Sequence, residues 1–156
     1  MATYTMPAGG DDSRSGSSIS VVNAMEVLPE DKCLELLGCH SVGRIAVVRG
    51  NQPLIFPVNY ILEGRIVVFR TDPGTKLTWA THGRVAFEID STDLFYREGW
   101  SVLVQGIGEV ITDAPDTWYE CIWARALVPW AGGAKDYWVA IASPVFSGRR
   151  ITHRAS

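Results

Sequence analysis

Apolar residues recur along this chain in two rhythms. In "LPEDKCLELLG" they return every three or four positions, so Cys33, Leu34 and Leu37 share a helical face. Pro29 near the start, acids in the first turn and Gly38 as a stop complete that helix signal. The rhythm then shortens to extended runs: "GRIAVVR" (43–49), "LIFPVNYI" (54–61), "RIVVFRT" (65–71), "RVAFEID" (84–90), "WSVLVQGIGEVIT" (100–112) and "YWVAIASPVFSGRRI" (137–151). The turns "GNQP" and "LEGR" join the first three, and the acidic, aromatic "STDLFYREG" leads into the fifth. Two helical stretches interrupt the strands, a short one ending near Thr81 and "DAPDTWYECIWARAL" (113–127) with Asp113 as its cap. Strands joined mostly by tight turns predict a mainly β fold, a closed antiparallel barrel with flanking helices. Gly106 and Gly108 suit a bend that lets the long strand serve two sides of that barrel.

Composition narrows the picture. A chain of 156 residues fits one domain, and 47% hydrophobic with 20% charged residues is an ordinary globular balance. The first residues, "MATYTMPAGGDDSRSGSSIS", lack an apolar core and read as a disordered tail, so we assign 1–26 to the tail and 27–156 to the domain. A net charge of −3 without a basic stripe argues against nucleic acid. No stretch has the roughly 18 apolar residues of a membrane span, and the expected location is cytoplasmic. Cys33, Cys39 and Cys121 show no metal spacing and read as reduced thiols, and the three histidines form no ligand pair. The six tryptophans point first to core or subunit interface and second to a flat ligand.

Two stretches carry candidate chemistry. In "FRTDPGTKLTWATH" (69–82) a strand gives way to a helix through hydroxyls, a glycine and an ammonium group. Thr75 and Lys76 open the helix, Thr71 ends the strand and Arg70 adds a cation, which together make a natural anion site. The plain alternative is a Pro73-Gly74 turn with Thr75 as a cap. The order GTK does not fit a P-loop. The second stretch is "PVNY" (57–60). Pro57 cannot donate to a ladder, so it marks an edge or a break where backbone groups of the strand stay open to a planar ligand. Asn59 and Tyr60 would add polar side chains there, and the plain alternative is an edge strand guarded by its proline. A hairpin through "LEGR" would make the two stretches neighbours.

The ordered run "GRIAVV … PLIFPVNYILEGRIVVFRTDPGTKLTWATHGRVAFEID … GWSVLVQGIGEVI … SGRRI" resembles the pyridoxamine 5′-phosphate oxidase-like family of FMN-binding split barrels, nearest its nitroimidazole-reductase-like branch. The resemblance implies a six-stranded antiparallel split barrel. It implies that Pro57, Val58, Asn59 and Tyr60 line the isoalloxazine ring, partly through backbone, and that Phe69, Arg70 and Thr71 meet the ribityl chain and phosphate. Thr75 and Lys76 would hold the phosphate. It further implies a homodimer with two cofactor sites at the interface, in which Trp100, Ser101, Trp138 and Arg149 come from the second chain. The "PVNY" strand is neutral where the oxidase proper is more basic, which speaks against pyridoxamine 5′-phosphate as substrate.

The expected activity is that of an FMN-dependent oxidoreductase on a small substrate, with NAD(P)H as a possible electron source. His40 and Tyr60 are the candidate proton donors near the ring, and His82 reads as a helix cap. The competing expectation is a non-catalytic dimeric module that binds FMN, the deazaflavin F420 or haem.

Overall fold

The computed structural model describes residues 22–72, 74, 78, 80–81, 83–118, 120 and 137–154. Seven strands and one helix follow in the order β1 (Val22–Leu28), α1 (Glu30–Cys39), β2 (Val42–Arg49), β3 (Gln52–Glu63), β4 (Ile66–Thr71), β5 (Arg84–Asp93), β6 (Glu98–Ile111) and β7 (Tyr137–Arg154). They form a sheet in the order β1-β7-β4-β3-β2-β5-β6, and pairing of β6 with β7 closes six of them into an all-antiparallel barrel. β1 is an addition on the far half of β7.

The barrel fills because each strand alternates. In β5, Val85, Phe87 and Ile89 point inward while Glu88 and Asp90 point out. Ile45, Val47, Tyr60, Phe69, Phe87, Val102, Val104 and Ile141 meet in the interior. A second, smaller cluster lies outside the barrel wall, where Ile61, Val68, Trp138 and Ala140 pack against Ile111, Ala114 and Trp118. Helix α1 closes one end with Cys33 and Leu37, one turn apart and both fully buried.

β7 bends where it changes neighbours. Its first half pairs with β4 and its second half with β1, while β6 follows it throughout. Between the pairs Gln105↔Val145 and Ile107↔Ala142, Ser143 and Pro144 of β7 oppose the single residue Gly106 of β6. That is a β-bulge, with Ser143 in the left-handed region at φ 49°. A Cβ on Gly106 would sit 2.5 Å from the Ala142 carbonyl oxygen, so the close approach requires glycine.

Most predicted strands stand within one to three residues of their expected bounds. Three differences have physical causes. β1 begins at Val22, inside the stretch expected as tail, because only Leu28 of its described side chains reaches the core and the strand leaves no alternation to read. Helix α1 runs through Gly38 to Cys39 and ends at His40, whose Nδ1–H donates to the Leu36 carbonyl (2.8 Å) and so caps the last turn. The "STDLFYREG" connection is a hairpin, with β5 extending to Asp93 before a turn at 94–97. Of the helix expected over 113–127, residues 116–118 and 120 are helical and 121–127 lie outside the described residues.

No helix among the described residues is long and apolar enough to cross a membrane. No group of three His, Cys, Asp or Glu among them could hold a metal ion.

Candidate functional site

The register of β3 explains what "PVNY" does. Tyr60 N–H donates to the Ser41 carbonyl on the β2 side (3.0 Å). Alternate residues face alternate neighbours, so Val58 also turns its backbone groups toward β2, while residues 53, 55, 57 and 59 turn theirs away. β4 covers that other side only from Tyr60 to Glu63. Over residues 52–59 no strand pairs with it among the described residues. Pro53 and Pro57 therefore sit where a missing N–H costs nothing, and the backbone of Ile55 and the N–H of Asn59 face this edge, where no strand among the described residues pairs with them.

Alternation also sorts the side chains. Val58, Tyr60 and Phe69 point into the core. The Tyr60 hydroxyl donates to the Leu37 carbonyl (2.7 Å), and its ring meets Phe87 edge-on with 4.8 Å between centroids. It is a structural tie between β3 and α1 rather than a group offered to a ligand. Pro57 and Asn59 remain on the outer face beside Arg70. Arg70 pairs across the strands with Trp138, and its guanidinium carbon lies 5.4 Å from that ring's centroid. Trp138 is 2% exposed and packs edge-on against Trp118 at 5.5 Å. It thus belongs to the same wall as Arg70.

The seam follows directly. Thr71 is buried, and its hydroxyl donates to the Asp72 carbonyl (3.3 Å). Gly74 has φ +140°, a conformation that side chains rarely adopt, and a Cβ there would meet nothing within 4 Å. Its carbonyl accepts from both the backbone N–H (3.0 Å) and the hydroxyl (3.1 Å) of Thr78, closing a helical turn that opens at Gly74. Thr75, Lys76 and His82 lie outside the described residues.

Trp100, Ser101 and Arg149 gather elsewhere. Asp90, Ser101 and Arg149 are successive cross-strand partners on β5, β6 and β7. With Met25, Leu94 and Trp100 they line a cavity of about 510 Å³. Arg149 reaches the Met25 sulfur (Nη1 to Sδ 3.8 Å), and His40 abuts Trp100 edge-on at 4.9 Å. A smaller recess of about 160 Å³ between Val42, Gly43, Arg44, Pro57 and Asp90 continues this surface toward β3. Arg44 crosses it to bond both Asp90 (2.6 Å) and Glu88 (3.0 Å), hydrogen bonds that hold its guanidinium still more firmly charged. Sequence reading passed over this acidic wall, although Glu88 and Asp90 alternating with Phe87 and Ile89 was the available signal.

The candidate residues therefore form two walls. Trp138 and Arg149 stand eleven positions apart on one strand, on the order of 30 Å at strand rise. The two walls meet across β2 and β5, where Pro57 and Asp90 line the same recess.

A closed six-stranded antiparallel barrel with one strand serving two neighbours is the split barrel of flavin-binding proteins. The chain belongs to the pyridoxamine 5′-phosphate oxidase family, whose sequence model matches residues 29–150. It is 32% identical over 145 residues to the uncharacterized protein Rv0080 of Mycobacterium tuberculosis, covering 89% of this chain and 93% of that one. Among solved structures it resembles an FAD-binding protein of Mycobacterium smegmatis, with 31% identity, a TM-score of 0.63 and 81% of this chain covering 98% of that one. An FAD-binding protein of Mesorhizobium loti shares the fold at 22% identity, with a TM-score of 0.71 and coverage of 84% and 99%.

Proposed function

We propose that this protein is a flavin-dependent oxidoreductase that binds FMN and acts on a small substrate as a cytoplasmic homodimer. The observation that carries this reading is the open edge of β3 beside the seam. The backbone donor and acceptor of Ile55 and the N–H of Asn59 face outward there, on the edge that leads to Arg70 and to a glycine with open space above it. A planar heterocycle with hydrogen-bonding edges matches such an edge, and an anionic tail matches the cationic end.

Pro57, Asn59, Arg70 and Thr71 would hold the cofactor in one chain, with Thr75 and Lys76 assigned to its phosphate by the family resemblance. Bound flavin would supply two-electron transfer at its ring. The chain's own residues would orient it and keep water away. Trp100, Ser101 and Arg149 stand at the opposite end of β6 and β7 from Trp138, and the family resemblance assigns them to the closing wall of a partner's site. The exposed apolar residues around them, Met25, Val27, Leu94, Phe95 and Ile151, suit a subunit interface.

The test is spectroscopic. The purified chain, titrated separately with FMN, FAD and haem, should develop a flavin spectrum with FMN and become reducible by NADPH under nitrogen. A preference for FAD, the ligand of the M. smegmatis relative, would change the cofactor but keep the class. A Soret band or no uptake would overturn the reading. A second reading, a module that binds flavin without turnover, is favoured by one observation. Both candidate proton donors are committed to structure, Tyr60 to Leu37 and His40 to Leu36. Flavin that is reduced yet passes no electrons to any acceptor would decide for the module.

A further inference from the structure

One group in the seam has a hydrogen-bonding need that the chain does not meet. Asp72 follows Thr71 at the end of β4 and precedes Gly74 by two residues. Its carboxylate oxygen Oδ1 is buried and receives no hydrogen bond. Its backbone carbonyl accepts from the Thr71 hydroxyl, so the local turn is satisfied without the side chain. A buried acceptor without a donor is destabilising unless something else supplies the donor. The residue as a whole is only half-buried, so its carboxylate lies at the margin of the seam rather than in the core.

We infer that Asp72 is a cofactor-binding residue whose carboxylate accepts hydrogen bonds from the hydroxyl groups of the flavin's ribityl chain. The inference rests on the flavin reading above. Chemistry chooses among the parts of the cofactor. An ionised phosphate brings negative charge and no donors, and would be repelled. The ring has a donor of its own, but its place is along β3, whose pairing with β4 begins at Tyr60↔Phe69, three residues before Asp72. The polyol that joins ring to tail passes between these ends and carries only hydroxyls, the donors this oxygen lacks. Asp72 thus reads the sugar-alcohol chain, a part that FMN, FAD and riboflavin share.

Two measurements on the purified protein test this. Riboflavin, FMN and lumiflavin, which keeps the ring but lacks the polyol, are titrated by fluorescence quenching into the wild type, Asp72→Ala and Asp72→Asn. Asp72→Ala should weaken riboflavin and FMN alike by about tenfold or more, leave lumiflavin unchanged, and be partly rescued by Asp72→Asn, which keeps an acceptor oxygen. Without ligand, Asp72→Ala should melt about 2–4 °C higher than the wild type, because an unmet acceptor has been removed. Equal weakening of all three flavins, tighter FMN with unchanged riboflavin, or a lower melting point of the ligand-free variant would each overturn the assignment. A wild type that binds none of the three would instead sink the flavin reading, and the ribityl assignment with it.

Discussion

Tyr60 was expected to line the flavin ring, and its side chain turns inward to bond the Leu37 carbonyl. Its ring and hydroxyl complete the floor under the open edge, so Tyr60→Phe should leave the flavin spectrum intact. The Leu37 carbonyl would lose its donor, at about 1–3 kcal/mol of stability measured by urea unfolding. A large loss of activity at unchanged stability would return Tyr60 to the list of proton donors. Lys76 carries the opposite expectation. Lys76→Ala should weaken FMN far more than riboflavin, because only FMN has the phosphate; a charged hydrogen bond is worth about 1.5–3 kcal/mol, or tenfold and more in Kd. Equal weakening would mean the phosphate lies elsewhere. Asp72 was invisible to sequence reading, since an acid in a polar turn looks like turn chemistry. Only its buried, donorless oxygen sets it apart.

Among the elements, the β5–β6 hairpin is built to hold apolar side chains out in water. The Asp93 carboxylate accepts from the backbone N–H groups of Phe95 (2.9 Å) and Tyr96 (3.0 Å), and Arg97 adopts a left-handed φ of 54°. Leu94 and Phe95 are left 89% and 86% exposed, and Leu94 lines the larger cavity. If this tip packs on a second copy, Phe95→Asp should shift the protein toward monomer by light scattering while hardly altering the unfolding midpoint at monomer concentrations. A variant that stays dimeric would place the interface elsewhere. The strands were legible where polar and apolar residues alternate, as in β5, or where an apolar run is bounded by glycine turns, as in β3 and β4. β1 was not, because an edge strand that buries one described side chain carries no periodic signal.

For the molecule as a whole, the separation of the two walls has a concentration-dependent consequence. If each flavin is enclosed by both chains, dilution that dissociates the dimer must also release cofactor, so the apparent Kd for FMN should rise as protein concentration falls. Affinity that is constant through dissociation would mean one chain suffices. Sequence order was enough to find the residues of each wall, since strand ends and turns announce themselves. It could not place them relative to one another, because Trp138 and Arg149 share a strand and only the register shows that they stand at opposite ends of it. The two-for-one step at Ser143 and Pro144 deserves a genetic reading as well. Because the bulge carries one residue more than its partner strand, excising Ser143 would leave Arg149 opposite Ser101 and Gly148 opposite Val102, and what a single lost codon would remove is the bend itself.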